Sequence, residues 1–266
     1  KDIKTVFTIH NLSYQGQFGS EIVEDVLGVS PWHWSSGNIR HNQHVNYMKM
    51  GIIYSDIINT VSNTYADEIK RPEYGEGLDY VMRMKSEKMY GIINGINYDS
   101  FNPETDTDIY CNYSENNIDS KYENKLGLQK EMGLKQNRKI PVIGLISRLV
   151  KQKGMGLIID ILDVLMQDEI QFVMLGTGEP EYEQAFRHFH KKYPDKISAN
   201  IKYDAGLARK IYAGVDIFLM PSLFEPCGLS QLISMRYGTI PVVRRTGGLA
   251  DTVNSYGKGA GNSKGC

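Results

Sequence analysis

Two cations stand five residues apart in the loop at residues 147–154, which ends in a glycine. Arg148 and Lys153 follow directly on the strand-like run at residues 141–146. In an open α/β sheet, ligands bind beyond the carboxyl ends of the strands. A guanidinium offers a planar fork and an ammonium a compact charge, so this pair could hold the two phosphates of a nucleotide. Ordinary solvated surface cations are the alternative interpretation.

A carboxylate precedes a predicted helix in the loop at residues 224–231. The start of a helix offers free N–H groups and the positive end of a dipole, and Gly228 allows close backbone approach. Glu225 would repel a second anion there. We interpret it as facing a neutral polyol or a developing oxocarbenium ion, while N–H groups further along meet the phosphates. A simple capping role is the alternative, and Cys227 is interpreted as a small buried side chain and not as a nucleophile.

A third loop, at residues 244–249, joins two arginines to the run Thr-Gly-Gly between a predicted strand and a predicted helix. Residues 246–248 are predicted to form a backbone cradle for phosphate, with a flexible turn as the alternative. The run at residues 176–179 begins like a dinucleotide fingerprint but has Glu181 in place of its third glycine. It favours a tight turn and gives little support to NAD binding.

Two polar positions follow strand-like runs in the first half of the chain. His10 comes directly after the run at residues 5–9, and Asn94 after the run at residues 90–93. A histidine at the end of a strand could hydrogen-bond a sugar hydroxyl or a leaving group. Asn94 could contact a sugar or simply form a turn. For His10 a structural role is the alternative.

Composition excludes several classes of protein and partner. Thirty Lys and Arg stand against thirty-one Asp and Glu, for a net charge of −1, so no global basic field favours nucleic acid or a membrane surface. Three widely spaced cysteines favour a reducing compartment and no disulfide framework. The sequence has no Cys/His cluster at zinc spacing and no apolar run that could span a bilayer.

The elements that must position these loops alternate along the chain. Apolar runs predict strands at residues 5–9, 57–61, 90–93, 141–146, 170–175, 197–201, 216–220 and 239–243. Helical periodicity predicts helices at residues 46–54, 62–69, 156–166, 179–191, 207–213 and 229–236, with Ser62 as an N-cap. Strand, helix, strand at this spacing predicts βαβ units and parallel sheets, hence an α/β fold.

The polar stretch at residues 102–138 separates two such halves and predicts an irregular segment followed by a surface helix. We therefore predict one Rossmann-like domain at residues 1–137, a second at 138–256, and a small, polar, disordered tail at 257–266. The chain has no initiator Met, and we expect it to be an internal piece of a longer protein.

Seven stretches of this sequence resemble the bacterial glycogen synthase and plant starch synthase family. They are residues 8–18, 56–69, 93–97, 146–154, 175–183, 211–232 and 237–253. The strings FEPCGL and RRTGGLADTV within the last two are especially specific. The resemblance covers about residues 5–254 and implies the GT-B architecture, two Rossmann-like domains that face a cleft, both truncated here.

The resemblance implies transfer of glucose from ADP-glucose to the non-reducing end of an α-1,4-glucan, with retention of configuration. Four residues are implied to be catalytic: His10, Arg148, Lys153 and Glu225. Nine are implied to bind substrate: Asn94, Tyr203, Cys227, Gly228, Leu229, Ser230, Thr246, Gly247 and Gly248. No metal or other cofactor is implied, because the cationic pair neutralises the pyrophosphate. The expected location is the cytoplasm in a bacterium, or the plastid in a plant.

Two alternatives stay open. One is another retaining GT-B transferase with a different sugar nucleotide, although the enzymes with a second Glu eight residues after the first are disfavoured because Ile233 stands there. The other is a fragment that binds nucleotide or glucan without turnover. The chain lacks the family's Lys-Thr-Gly-Gly-Leu loop and its final C-terminal segment, which makes this second alternative relevant. A dehydrogenase is the least favoured class.

Overall fold

A computed structural model of the protein describes residues 3–256; the predicted tail at 257–266 lies outside them. The strands are β1 (Val6–Ile9), β2 (Gln17–Phe18), β3 (Arg40–His41), β4 (His44–Asn46), β5 (Ile57–Thr60), β6 (Met89–Gly91), β7 (Val142–Ile146), β8 (Gln171–Leu175), β9 (Ile197–Asn200), β10 (Ile217–Met220) and β11 (Ile240–Val243). The helices are α1 (Ile22–Asp25), α2 (Trp32–Ser35), α3 (Tyr47–Tyr54), α4 (Asn63–Glu68), α5 (Asp79–Met84), α6 (Lys121–Glu131), α7 (Met155–Leu165), α8 (Pro180–Lys192), α9 (Ala205–Gly214), α10 (Ser230–Arg236) and α11 (Gly247–Thr252). Within the described residues, none of these helices could cross a membrane.

The residues up to Asn94 form one compact unit around a parallel sheet of order β1-β5-β6. The register sets Ile9 opposite Thr60, whose hydroxyl donates to the Ile9 carbonyl at 2.7 Å. The predicted N-cap is confirmed, since the Ser62 hydroxyl accepts from the Tyr65 N–H at 2.8 Å. The Tyr65 hydroxyl in turn accepts from the Leu12 N–H at 3.0 Å, which fixes the loop that follows β1.

A small antiparallel sheet of order β2-β4-β3 was not predicted from the sequence. Its strands of two or three residues are too short to show an alternating pattern. The tight turn between β3 and β4 places Asn42 and Gln43 at φ 48° and 62°. Hairpin turns of this kind normally have the sequence Asn-Gly. Here the second residue is Gln43, so the sequence did not indicate a turn.

The residues from Gly95 onward form a second unit around a five-stranded parallel sheet of order β11-β10-β7-β8-β9. Each of its strands and the four helices α7–α10 agree with the prediction to within one or two residues. β8 is buried along its whole length, as expected for a central strand covered on both faces. The chain adds strands on one side of β7 and then returns to its other side, where β10 pairs with it.

The second unit begins well before the predicted domain boundary at residues 137/138. The preceding segment is fastened to the second sheet's helices, because the Tyr113 hydroxyl donates to the Tyr237 carbonyl at 2.8 Å. The Arg236 Nε donates to the Phe101 carbonyl at 3.1 Å. Farther along the segment, Asp106 pairs with Arg209 at 3.1 Å. These contacts join residues more than 100 apart in the chain, so no local sequence pattern could predict them.

The predicted surface helix within residues 102–138 is α6, which has one exposed face and one buried face. α6 packs against α9 and buries Asn124, Lys125, Leu128 and Gln129. The Lys125 Nζ pairs with Asp216 at 2.7 Å, and Asn124 accepts from the Tyr110 N–H at 2.9 Å. Polar side chains can be buried when each finds a partner, and the polar composition therefore did not indicate the buried face.

Lys121, also on α6, makes a pH-dependent contribution to the stability of the second unit. Its Nζ donates to the Ala213 carbonyl at 2.6 Å and to the Thr239 hydroxyl at 2.8 Å. Burial lowers the pKa of Lys121 to about 7. Between that value and the ordinary lysine pKa, the unfolded chain binds more protons than the folded chain, so the free energy of unfolding rises with pH.

We expect urea denaturation to show a rise of about 2 kcal/mol in the free energy of unfolding from pH 7 to pH 9 relative to Lys121→Met. The Met variant has no titrating group at this position. Lys139→Met, at an exposed position, is the matched control and should keep the pH dependence of the unchanged chain. Equal pH dependence in the unchanged chain and in Lys121→Met would contradict the prediction.

Candidate active site

A cleft of about 510 Å³ opens at the carboxyl edge of the five-stranded sheet. Its walls include the ends of β7, β8 and β10 and the loops that follow them, at residues 145–148, 175–177 and 219–222. The strand order reverses between β7 and β10, and such a topological switch point is where open α/β sheets bind ligands. Arg148, Lys153, Tyr203 and Ser230, all predicted from the sequence, line this cleft.

Gly154 sets the position of Lys153. It adopts a left-handed conformation with φ 74°, and a Cβ on it would lie 2.2 Å from the Pro221 carbonyl oxygen. Only glycine therefore permits this contact between the turn after β7 and the chain after β10. Leu149, fully buried, anchors the other end of the turn and leaves the neighbouring Arg148 exposed toward solvent.

Gln152 joins the two loops of the switch point. Its carbonyl accepts from the Leu223 N–H at 2.8 Å, and its Nε2 donates to the Phe224 carbonyl at 3.1 Å. Lys153, which follows Gln152, and Glu225, which follows Phe224, are therefore held side by side. The sequence interpretation missed Gln152, because it treated the two loops separately.

The residues thus brought together are Lys153 and Glu225, which form an ion pair with Nζ and Oε2 2.5 Å apart. The side chain of Glu225 is only 8% exposed and that of Lys153 19%. The same carboxylate oxygen accepts from the Ser222 hydroxyl at 3.1 Å. Charge-assisted contacts of this kind compensate the loss of hydration that burial of a carboxylate requires.

This pairing adds to the sequence interpretation of both residues. Lys153 was predicted to contact phosphate and Glu225 a polyol or a developing cation; in the structure each is the other's partner. Ser222 was not predicted. It follows β10 by two residues, so its position just past a strand, the signal used for the other loops, could have identified it.

The far end of the cleft is formed around α9. Tyr203, 92% exposed, lines it. Asp204 caps α9 by accepting from the Leu207 N–H at 2.9 Å, which together with the Lys202 ammonium lowers the pKa of this carboxyl. Arg209 lines the same end with its guanidinium 4.9 Å from the ring centre of Phe101. Neither Arg209 nor Phe101 was predicted as a site residue.

The loop at residues 246–248 packs differently from a phosphate cradle. The Gly248 N–H donates to the carbonyls of Glu225 and Pro226, at 3.2 and 3.0 Å. A Cβ on Gly247 would lie 1.9 Å from the Glu225 carbonyl oxygen. The two glycines therefore admit backbone-to-backbone contact with the loop that holds Glu225, and the predicted cradle is corrected at Gly248, whose N–H is engaged. Thr246, at the N-cap of α11, is buried.

The residues after Glu225 differ in exposure. Cys227 is 4% exposed, in agreement with its interpretation as a buried small side chain. Gly228 adopts φ 71°, and Leu229, 46% exposed, stands at the N-cap of α10. Ser230 begins that helix and lines the cleft.

His10 and Asn94 belong to the first unit. His10 is exposed and directly follows β1, and Asn94 is half-buried and follows β6. Both positions lie beyond the carboxyl ends of strands in one parallel sheet, as predicted. Their placement toward the same substrate as Glu225 stays a prediction. Among residues 3–256, no group of three or more His, Cys, Asp or Glu side chains is arranged to hold a metal ion.

Two family models match the chain. One, described as the starch synthase catalytic domain, matches residues 1–84, and the other, described as glycosyl transferases group 1, matches residues 140–261. The two matches fall on either side of the segment at residues 85–139. The second includes the loops of Arg148, Lys153 and Glu225.

Curated relatives match along nearly the whole chain. Glycogen synthase from Thermotoga petrophila is 56% identical over 252 residues, 95% of this chain and 52% of the relative. Glycogen synthase from Clostridium novyi is 51% identical over 264 residues, 99% of this chain and 55% of the relative. The chain thus spans about half the length of the curated relatives it matches.

A solved structure confirms the predicted α/β fold class. The catalytic domain of starch synthase IV from Arabidopsis thaliana, bound to ADP and acarbose, superposes with a TM-score of 0.88 at 37% identity. The match covers 96% of this chain and 53% of that one.

Proposed function

This chain belongs to the bacterial glycogen synthase and plant starch synthase family, and from that premise we propose that the protein transfers glucose from ADP-glucose to the non-reducing end of an α-1,4-glucan with retention of configuration. The observation that supports this most is the ion pair of the buried Glu225 with Lys153, which lines the cleft together with Arg148. Two cations beside a cleft suit a diphosphate, and a buried carboxylate suits a sugar that becomes cationic.

In the proposed reaction, the bond from the glucosyl C1 to the ADP oxygen breaks and a bond to the acceptor hydroxyl oxygen forms. The hydroxyl proton leaves with ADP. Arg148 and Lys153 neutralise the negative charge that grows on the departing diphosphate. The phosphates replace Glu225 as the partner of Lys153, and the carboxylate is then available to the positive charge that develops at C1. This division of charge needs no metal, so a chelator should leave transfer unchanged.

The remaining substrate contacts are proposed from the family resemblance. His10 would approach the glucose, Asn94 a sugar hydroxyl, and Tyr203 the adenine. The N–H groups near Gly228 and Leu229 would meet the phosphates. The nucleotide sugar and the glucan are the two proposed partners, and the similar starch synthase structure is bound to ADP and acarbose.

A second candidate function is nucleotide binding without turnover. All residues that line the cleft belong to the second unit, so capture of ADP requires no side chain of the first. Turnover, in contrast, is proposed to involve His10 and Asn94 of the first unit. The two candidates therefore differ in whether the first unit is required, since binding is proposed to use the second unit and transfer to use both.

Two experiments together separate the candidates. One is calorimetric titration of this chain with ADP and with UDP. The other is an assay for transfer of labelled glucose from ADP-glucose to a maltooligosaccharide. The proposed function predicts tighter binding of ADP than of UDP, and label in the glucan when the full-length protein is assayed. Binding of ADP without transfer by the full-length protein would favour the second candidate. If UDP binds more tightly, the assignment of ADP-glucose is wrong.

A further inference from the structure

Gln231 holds the loop that bears Glu225 from behind. This residue of α10 is fully buried. Its Nε2 donates to the carbonyls of Cys227 and Gly228, both at 3.0 Å, and to the hydroxyl of Thr252 at 3.1 Å. One amide group therefore joins the loop at residues 225–228 to the last residue of α11.

Thr252 continues the connection back to the carboxylate. Its hydroxyl donates to the Gly248 carbonyl at 2.6 Å. The Gly248 N–H donates to the carbonyls of Glu225 and Pro226, at 3.2 and 3.0 Å. The hydrogen bonds thus run from Gln231 through Thr252 and Gly248 to the backbone of Glu225. In such a chain of hydrogen bonds, a change at one member is transmitted to the others.

Close packing removes the freedom that this loop would otherwise have. A Cβ on Gly248 would lie 2.3 Å from the Cys227 carbonyl oxygen, and one on Gly228 would lie 2.5 Å from Gln231 Oε1. The backbones are therefore in direct contact, with no flexible side chain between them. A shift of Thr252 or Gln231 must move the loop, and with it the carboxylate.

Gln231 also has a feature that stability alone does not explain. Among the residues that the structure describes, Gln231 Oε1 is the one buried side-chain oxygen without a hydrogen-bond donor. An unsatisfied buried acceptor destabilises the folded state. The opposite orientation of the amide would turn Oε1 toward the carbonyls of Cys227 and Gly228 and repel them. The observed orientation therefore directs the amide hydrogens to the loop and to the Thr252 hydroxyl, and leaves Oε1 without a donor.

We propose that Gln231 and Thr252 are positioning residues that set the Glu225 carboxylate against its reaction partner. They line no part of the cleft and act through the backbone of Glu225. The inference rests on the proposed function, in which Glu225 supports the positive charge at C1. Arg148 and Lys153 lie on a different loop, the turn after β7, whose ends are fixed by Leu149 and Gly154. Loss of the positioning contacts therefore lowers the rate of the chemical step more than the affinity for the donor.

The test is a double-mutant cycle in the full-length protein between Thr252→Val and Glu225→Gln. Valine keeps the shape of threonine but removes the hydroxyl, so we expect kcat to fall roughly tenfold, with KM for ADP-glucose changed less than about twofold. Thr252→Ser restores the hydroxyl and should restore kcat. In the Glu225→Gln background, Thr252→Val should have almost no further effect on kcat, because the carboxylate through which it acts is gone.

Two results of this cycle would contradict the proposed positioning role. The proposal is wrong if Thr252→Val lowers kcat equally with and without the Glu225 carboxylate. It is also wrong if Thr252→Val lowers thermal stability and leaves kcat unchanged. In either case Thr252 has a structural role only. If the Val variant does not fold, Gln231→Met enters the same cycle with the same expectations, since methionine keeps the length of glutamine and lacks its donors. A Glu225→Gln single variant with normal kcat would instead refute the proposed function on which the inference rests.

Discussion

Replacement of Glu225 by Gln is expected to lower kcat by about a hundred- to thousandfold in the full-length protein. Glutamine keeps the size and hydrogen-bonding capacity of glutamate but has no negative charge. The charge matters most when the glucosyl ring becomes cationic, so the loss falls on the chemical step and KM changes little. Affinity for ADP should not fall and should rise slightly, because the variant no longer holds Lys153 in an ion pair with residue 225.

Cys227→Ser is the matched control for this experiment. Cys227 lies two residues beyond Glu225 in the same loop and is buried, so serine tests the packing of the loop without removing the charge. Steady-state kinetics should show a small effect. An inactive Cys227→Ser beside a nearly normal Glu225→Gln would reverse the roles of the two residues. A Glu225→Gln variant with raised KM and normal kcat would make Glu225 a binding residue only.

Replacement of Lys153 by Ala is expected to weaken ADP binding by roughly ten- to a hundredfold, since a charge-assisted contact contributes about 1.5–3 kcal/mol. Two effects act in the same direction here. The variant loses the ammonium that would contact the phosphates, and it leaves the buried Glu225 carboxylate beside the incoming diphosphate without its partner. Both disfavour the bound anion, so turnover should fall together with affinity.

Lys151→Ala is the control for Lys153→Ala. Lys151 belongs to the same short turn and carries the same charge, but it is exposed and does not line the cleft. Titration calorimetry with ADP should therefore show nearly unchanged affinity in this variant. Similar losses in both variants would indicate a general effect of positive charge, and unchanged affinity in Lys153→Ala would remove Lys153 from the site.

The parallel sheets could be predicted because their strands are short apolar runs between polar loops. β8 is the clearest example, since it is buried on both faces and its last four residues, Phe172–Leu175, are all apolar. The packing of α6 could not be predicted in this way. Its buried Lys125 is neutralised by Asp216, a partner 91 residues further along the chain, and a polar helix with distant partners has the composition of an exposed one.

The candidate site was predictable in its location and less so in its contacts. Arg148 and Lys153 were found because parallel strands end at one edge of a sheet, and whatever follows them meets there. The ion pair of Lys153 with Glu225 joins two loops whose distance apart depends on Gly154 and Gln152. For Gly248, a phosphate cradle and a close backbone contact require the same residue type, and only the structure distinguishes them.

The hydrogen bonds and ion pairs that hold residues 95–140 to the second sheet determine where the second unit can be cut from this chain. A module that starts at Arg138, after the polar stretch, would lose Asp106 and leave the guanidinium of Arg209 in the cleft wall without its carboxylate. It would also lose α6 and so uncover the apolar face of α9 and the first strand of the sheet. The smallest module that keeps these contacts therefore begins near Gly95, where the compact unit itself begins.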